Sequence, residues 1–166
     1  MEYVSSDTNV WIDFFVIDRL RLPFRLPYVF IMNHDAIEDE FLSPKGLKDD
    51  LKRCGLIGVE ITIEEFELAD QFGQQYPKLS NYDRIALAIA RERKIVLLSG
   101  DKALRNAALK EGVSILGTLG VLDQLYEGSY IDGKEYELCL LELQKHNGQL
   151  VRLPKDEINS RLGKLK

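Results

Sequence analysis

Apolar and polar positions change period along this chain of 166 residues, and each change marks an element. The clearest succession runs from Leu79 to Gly117. Ile85, Ala86, Ile89 and Ala90 recur at helical spacing and predict a helix in NYDRIALAIARE. KIVLLS follows, a short apolar run bounded by a turn, as expected of a strand buried in a parallel sheet. GDKALRNAALKEG predicts a second helix closed by Gly112, and VSILG another short strand. Helix, strand, helix, strand is the alternation of an α/β fold.

The same reading extends to both ends. Tyr3 and Val4 begin a strand, and VWIDFF after Asp7, Thr8 and Asn9 begins a helix. YVFIM (Tyr28 to Met32) predicts another strand, and IEDEFL the start of a helix with Ile37 and Phe41 one turn apart. LIGVEI reads as a short strand or a buried connection. TIEEFELADQFGQQY is amphipathic, with Thr62 and Glu65 at capping-box spacing. TLGVLDQLYEG and DGKEYELCLLELQKHNG predict two further helices, and a short one is expected after Pro154. No repeat or linker divides the chain. Residues 1–130 therefore read as one α/β domain and 131–166 as a helical extension of it. YELCLLEL is too apolar to be left exposed.

Composition adds boundaries rather than a fold. Apolar residues make up 45% and charged residues 30%, ordinary for a globular protein with a real core. No apolar run is long enough to span a membrane, and MEYVSSD has neither the basic nor the apolar part of a signal peptide. Cys54 and Cys139 lie far apart and suit a reduced, cytoplasmic interior. A net charge of −5 and a pI of about 5.2 argue against a nucleic-acid coat. They leave room for an enzyme that gathers acids at a metal and keeps its basic residues elsewhere. Two such basic clusters are Arg19, Arg21 and Arg25, and Lys45, Lys48, Lys52 and Arg53.

Four acids stand near strand ends and helix starts: Asp7 follows the first strand, Glu40 lies on the helix after the second, Asp83 opens the helix of NYDRIALAIA, and Asp101 follows IVLLS directly. In a parallel sheet these junctions share one edge. Each acid also has a structural role open to it. Asp7 and Asp101 stand at N-cap positions, Asp83 sits three residues after Ser80 as in a capping pair, and Glu40 fits a solvent-facing helix position. Taken together they point further, because gathered carboxylates raise one another's pKa unless a cation sits among them. All-oxygen donors with no His or Cys cluster favour Mg²⁺ or Mn²⁺ over zinc. His34 and His146 have no partner at ligand spacing.

The stretches SSDTNVWID, AIEDEF, LSNYDRIALAIARE and IVLLSGDKALRNAA resemble the PIN-domain nucleases over roughly Met1 to Gly128. Asp7 and Asn9 match the family's Asp-x-Asn after the first strand. Ile37, Glu40 and Phe41 match its apolar-x-x-Glu-apolar setting, with Glu38 and Asp39 competing for the role of Glu40. Asp83 heads the alanine-rich helix, and Ser99, Gly100 and Asp101 match the closing Ser/Thr-small-Asp. The resemblance implies a three-layer α/β/α fold with a central parallel sheet. It also implies Mg²⁺- or Mn²⁺-dependent cleavage of phosphodiesters, most often in RNA. Many small bacterial members are toxins held by an antitoxin, dimerisation is common, and some members keep the scaffold without the chemistry.

On that basis Asp7, Glu40, Asp83 and Asp101 are expected to hold one or two ions. Asn9 and Ser99 would orient carboxylates or waters, and Lys102 and Arg105 would contact the RNA backbone. Tyr82 packs beside its helix start or stacks on a base. A haloacid-dehalogenase-like phosphatase fits less well, because Asn9 stands where it needs a second Asp.

Overall fold

A computed structural model describes residues 1–42 and 44–165; Ser43, and Lys166 at the end of the predicted extension, lie outside the described residues. Strand β1 (Glu2–Ser6) leads into α1 (Thr8–Val16), a 3₁₀ turn (Leu22–Arg25) and β2 (Tyr28–Asn33). Helices α2 (His34–Glu40) and α3 (Leu47–Cys54) precede β3 (Ile57–Val59), α4 (Ile63–Gln75) and α5 (Asn81–Arg93). Then come β4 (Val96–Leu98), α6 (Lys102–Lys110), β5 (Ile115–Leu116), α7 (Thr118–Glu127), α8 (Gly133–His146) and α9 (Lys155–Lys164). The strands form one parallel sheet in the order β3-β2-β1-β4-β5.

Helices cover both faces of this sheet, as the near-continuous apolar strands require. On one face Trp11 of α1 stacks on Phe24 at 5.0 Å and meets Phe30 of β2 edge-on at 5.1 Å. Val4, Leu122, Leu140, Leu143, Val151 and Ile158 belong to the same apolar cluster, so α7, α8 and the C-terminal segment share the core of β1 and β2. On the other face Leu68 and Phe72 of α4, Leu87 of α5 and Leu104 of α6 pack with Leu97 of β4. Ser5, buried in β1, donates to the Ala86 carbonyl at 2.9 Å and so fastens α5 to the central strand.

Several local predictions are met by the hydrogen bonds that define them. Thr62 and Glu65 form a complete capping box on α4, and Ser80 and Asp83 another on α5. Gly112, at φ +72 just past α6, takes the left-handed conformation that closes a helix cheaply only with glycine. Beyond Ile131, Asp123 of α7 accepts both Tyr136 of α8 (2.6 Å) and a two-pronged contact from Arg161 of α9 (2.9 and 2.8 Å).

Other features depart from the pattern-based reading. Helix α2 starts at His34, three residues before the predicted start, because the Asn33 side chain caps it by accepting from Ala36 N at 3.2 Å. Helix α3 was not foreseen: Leu47 and Leu51 are its buried apolar residues, too short a signal to detect. Its acids in the first turn and cations in the last suit the helix dipole. LIGVEI proves to be an edge strand with an exposed Ile57 rather than a buried connection. The two basic clusters largely tie the chain to itself. Lys48 and Lys52 both pair with Glu38 at 3.0 Å, Arg53 pairs with Asp50, Arg19 with Glu135, and Arg25 donates to the Tyr130 carbonyl. Among the described residues no helix is long and apolar enough to cross a membrane.

Asp13 is the unexpected polar group of the core. It faces α7 and accepts from Thr118 Oγ1 at 2.7 Å, and burial, only partly offset by that bond, pushes its carboxyl from 3.8 up to about 6. The folded state thus favours the protonated form. Stability from this group is fully present below about pH 4 and is lost as pH rises to about 6. Asp13→Asn keeps an acceptor for Thr118 and removes the buried charge. It is expected to melt at or above the wild type at pH 7, by up to on the order of 2 kcal/mol, and to flatten the wild-type decline between those pH values. Thermal melts across that range check this; a variant that melts well below the wild type at pH 7 refutes it.

Candidate active site

The chain leaves β1 toward β2 on one side and leaves β4 toward β5 on the other. Between these diverging connections the sheet opens a crevice at the carboxyl ends of β1 and β4, the place where open α/β sheets bind ligands. Backbone bonds carry the ladder to its lip: Asp7 N donates to the Leu98 carbonyl at 2.9 Å and Ser99 N to the Leu116 carbonyl at 3.0 Å. Asp7 and Ser99 therefore face each other across the junction.

Asp7 occupies the N-cap position of α1 with extended backbone, yet its side chain makes no capping hydrogen bond to the helix. The carboxylate instead accepts from Ser99 Oγ at 3.1 Å and is 4% exposed. Burial, then the charge of Asp83, and to a smaller degree that of Glu40, push its pKa up to about 7, against the pull of the Thr8 amide and the Ser99 hydroxyl. Among the described residues no Lys or Arg pairs with Asp7, Glu40 or Asp83.

Glu40 closes α2 and is half-buried. Burial raises its pKa, as do Asp83 and Asp39, and the nearby Thr8 hydroxyl opposes the rise. No hydrogen bond of normal geometry forms there, since Glu40 Oε1 and Thr8 Oγ1 are both buried without a partner. Ser6 Oγ, one residue before Asp7, is another buried orphan. Glu38, one of the residues competing with Glu40, is bound by Lys48 and Lys52, which hold its carboxyl down at about 2. Asp39, the other, accepts from the Tyr82 hydroxyl. Tyr82 packs its ring against the core and spends its hydroxyl on Asp39.

Asp83 does two things at once. It accepts from Ser80 N at 3.1 Å in the capping box, and its charge acts on both Asp7 and Glu40. Asp101 is a true cap, accepting from Leu104 N at 2.8 Å. Its backbone N donates to Ser99 Oγ at 3.1 Å, so Ser99 links it to Asp7. The structure thus brings Asp7, Glu40 and Asp83 into one electrostatic group and attaches Asp101 through Ser99. Asn9 is exposed on the first turn of α1 and makes no side-chain hydrogen bond among the described residues, so the side-chain contact that orients the Asp7 carboxylate comes from Ser99 rather than Asn9. Lys102 and Arg105 are exposed on α6.

Thr8 and Ser6 were not singled out as site residues. Their signal is faint: hydroxyls on either side of Asp7, one ending β1 and one opening α1, where burial leaves polar groups in need of partners.

The donor set is all oxygen and suits a hard divalent cation. Among the described residues no three His, Cys, Asp or Glu side chains stand close enough to form a ready-made ion site. The fit is that of an ion that keeps several waters and takes one or two carboxylates directly, as Mg²⁺ does. The orphaned Glu40 Oε1 and the uncompensated charge on Asp7 are what such an ion would satisfy.

A family model described as PIN domain matches residues 3–166, the C-terminal helices included. No curated protein and no solved structure matches the chain.

A cation in this crevice must stabilise the fold by mass action. Saturating Mg²⁺ or Mn²⁺, at about 100 times the dissociation constant, is expected to raise the melting temperature by ~5–10 °C. Asp7→Asn is expected to abolish the rise and, without metal, to melt at or above the wild type, because it removes a buried charge that lacks a partner. Differential scanning fluorimetry with and without EDTA measures both; an equal metal response in the variant removes Asp7 from the site.

Proposed function

The chain belongs to the PIN-domain family, whose domains are generally nucleases that use divalent metal ions, and we propose that it is an endoribonuclease dependent on Mg²⁺ or Mn²⁺. In this reading Asp7, Glu40, Asp83 and Asp101 hold one or two ions. The observation that carries it is the burial of Asp7, with no cationic partner, beside Glu40 and Asp83 at the mouth of the sheet.

An ion held there supplies positive charge to the scissile phosphate and makes a water more acidic. The chain's own residues do the rest. Ser99 fixes the orientation of Asp7 Oδ2 and, through its bond from the Asp101 amide, the start of α6. Thr8 Oγ1, buried and unpaired beside Glu40, is a donor available to that carboxylate. Glu40 and Asp83 approach from two other helices, so substrate enters between α2, α5 and α6. The raised pKa of Asp7 means that the neutral form competes with metal near neutral pH, so ion loading improves as pH rises.

The finer assignments have separate consequences. A toxin of a toxin–antitoxin pair is silenced by the product of a small neighbouring gene that fills this crevice. A homodimer doubles the number of crevices without changing their content. The alternative, a PIN-like scaffold that binds RNA or protein without cutting, keeps binding and lacks turnover.

Purified protein is expected to cleave mixed-sequence single-stranded RNA with Mg²⁺ or Mn²⁺ and not with EDTA. Asp7→Asn, Asp83→Asn and Asp101→Asn should each abolish cleavage with folding intact. Ser99→Ala should cost about 10–100-fold in activity or metal affinity, as removal of a ligand's hydrogen-bond partner does. Full activity in Asp7→Asn, or cleavage that survives EDTA, sinks the proposal; binding without cleavage under any metal supports the scaffold alternative.

A further inference from the structure

The C-terminal segment brings two cations to a groove whose lining includes Gly100, the residue between Ser99 and Asp101. The groove, about 1400 Å³, runs from Gly100 along the outer side of α6 to the turn between α8 and α9. Lys102 and Arg105 line it from α6, and Arg152 and Lys155 from the far wall. All four are exposed, and among the described residues none makes an ion pair or a side-chain hydrogen bond. Among the described residues no acid lines this groove, although the chain carries a net charge of −5. The contrast is with the cavity of about 1070 Å³ at the end of α1, where Arg19, Arg25 and Arg53 are interleaved with Asp18, Asp50 and Glu135.

The far wall is a built surface rather than a loose tail. Asn147 clips the turn with a reciprocal pair of bonds to Leu153, its Nδ2 to the carbonyl at 2.9 Å and the Leu153 amide to its Oδ1 at 2.8 Å. Gly148, at φ +93, donates to the Val151 carbonyl at 2.8 Å. Val151 is fully buried, so the neighbouring Arg152 is held outward from an anchored residue. Asp156 and Glu157, in the first turn of α9, lie outside the groove lining.

We propose that the turn from Asn147 to Lys155 and helix α6 together form a track for the phosphodiester backbone of single-stranded RNA, with Arg152 and Lys155 as its distal phosphate contacts. The identity of the anion rests on the nuclease reading; the geometry of the groove does not. Unpaired cations on opposing walls hold successive phosphates, and Leu109 and Leu153 offer apolar surface to unstacked bases, which a duplex would not present. Gly100, which lies between Ser99 and Asp101 in the chain, is the lining residue next to the acid site in sequence.

The test uses the full chain in an Asp83→Asn background, which keeps RNA intact, and a fluorescein-labelled mixed-sequence single-stranded RNA. Anisotropy is read between about 50 and 200 mM salt. The Arg152→Gln/Lys155→Gln pair is expected to weaken binding by about 5–20-fold at low salt and to reduce the slope of log affinity against log salt by about 1.4. Arg21→Gln/Lys134→Gln, which removes the same charge elsewhere, should leave both nearly unchanged. Unaltered binding in the first pair, an equal loss in the second, or no RNA binding by the parent overturns the track. Cleavage by the otherwise wild-type chain separates the two readings. Metal-dependent cleavage with unchanged KM in Arg152→Gln/Lys155→Gln leaves the nuclease and removes the track, whereas salt-sensitive binding through these residues without cleavage does the reverse.

Discussion

Asp7 is buried as an acid without a cation, and much of the architecture around the crevice follows from that arrangement. An ionised carboxylate taken out of water costs several kcal/mol unless something compensates. Here the compensation is incomplete: a Ser99 hydroxyl and a Thr8 amide on one side, the negative Asp83 and Glu40 on the other. The position itself is set by the sheet. β1 is central, β4 is its neighbour, and their registered ends, Ser6 with Leu98, deliver Asp7 and Ser99 to the same point. A one-residue slip of either strand would turn Asp7 or Ser99 away from that point.

The molecule keeps this unfavourable group because the rest of the fold over-determines it. Both faces of the sheet are closed by apolar clusters, one built on Trp11, Phe24 and Phe30 and the other on Phe72, Leu87 and Leu97. Ser5 ties the central strand to α5, which carries Asp83, while the capping box with Ser80 fixes where Asp83 sits on that helix. The C-terminal helices add the third support. Thr118 holds Asp13 of α1 from α7, and Asp123 gathers Tyr136 and Arg161 from α8 and α9. The same C-terminal chain that steadies α1 from below supplies the cationic wall beside α6. Ser6 Oγ, Thr8 Oγ1 and Glu40 Oε1 are buried there without hydrogen-bond partners among the described residues, so the crevice is electrostatically frustrated on its own.

Capping shows what position along the chain leaves open. Asp7, Asp83 and Asp101 are all acids at helix starts, and the helix dipole favours each. Only hydrogen bonds distinguish them: Asp101 caps, Asp83 caps and also reaches the crevice, and Asp7 does not cap at all. Spacing along the chain treats the three alike. The choice between Glu38 and Glu40 has the same character. The two lie two residues apart on one short helix, and the lysines that engage Glu38 come from α3, a helix whose apolar signal was two leucines.

Apart from α3, the order of elements, the parallel sheet and the caps at Thr62, Ser80 and Gly112 were legible in the linear chain, because periodicity and capping are local physics acting over a few residues. So was the placement of Asp7 and Asp101 just past β1 and β4, because a parallel α/β chain puts its strand ends on one edge; Glu40 at the end of α2 and Asp83 in the first turn of α5 follow no strand directly. Tertiary structure alone decided what each acid meets. The pairing of Asp7 with Ser99 spans 92 residues and that of Asp13 with Thr118 spans 105. The groove joins residue 102 to residue 155. These depend on strand order and helix packing, and no short-range pattern encodes burial, unpaired oxygens or the sign of a neighbouring charge.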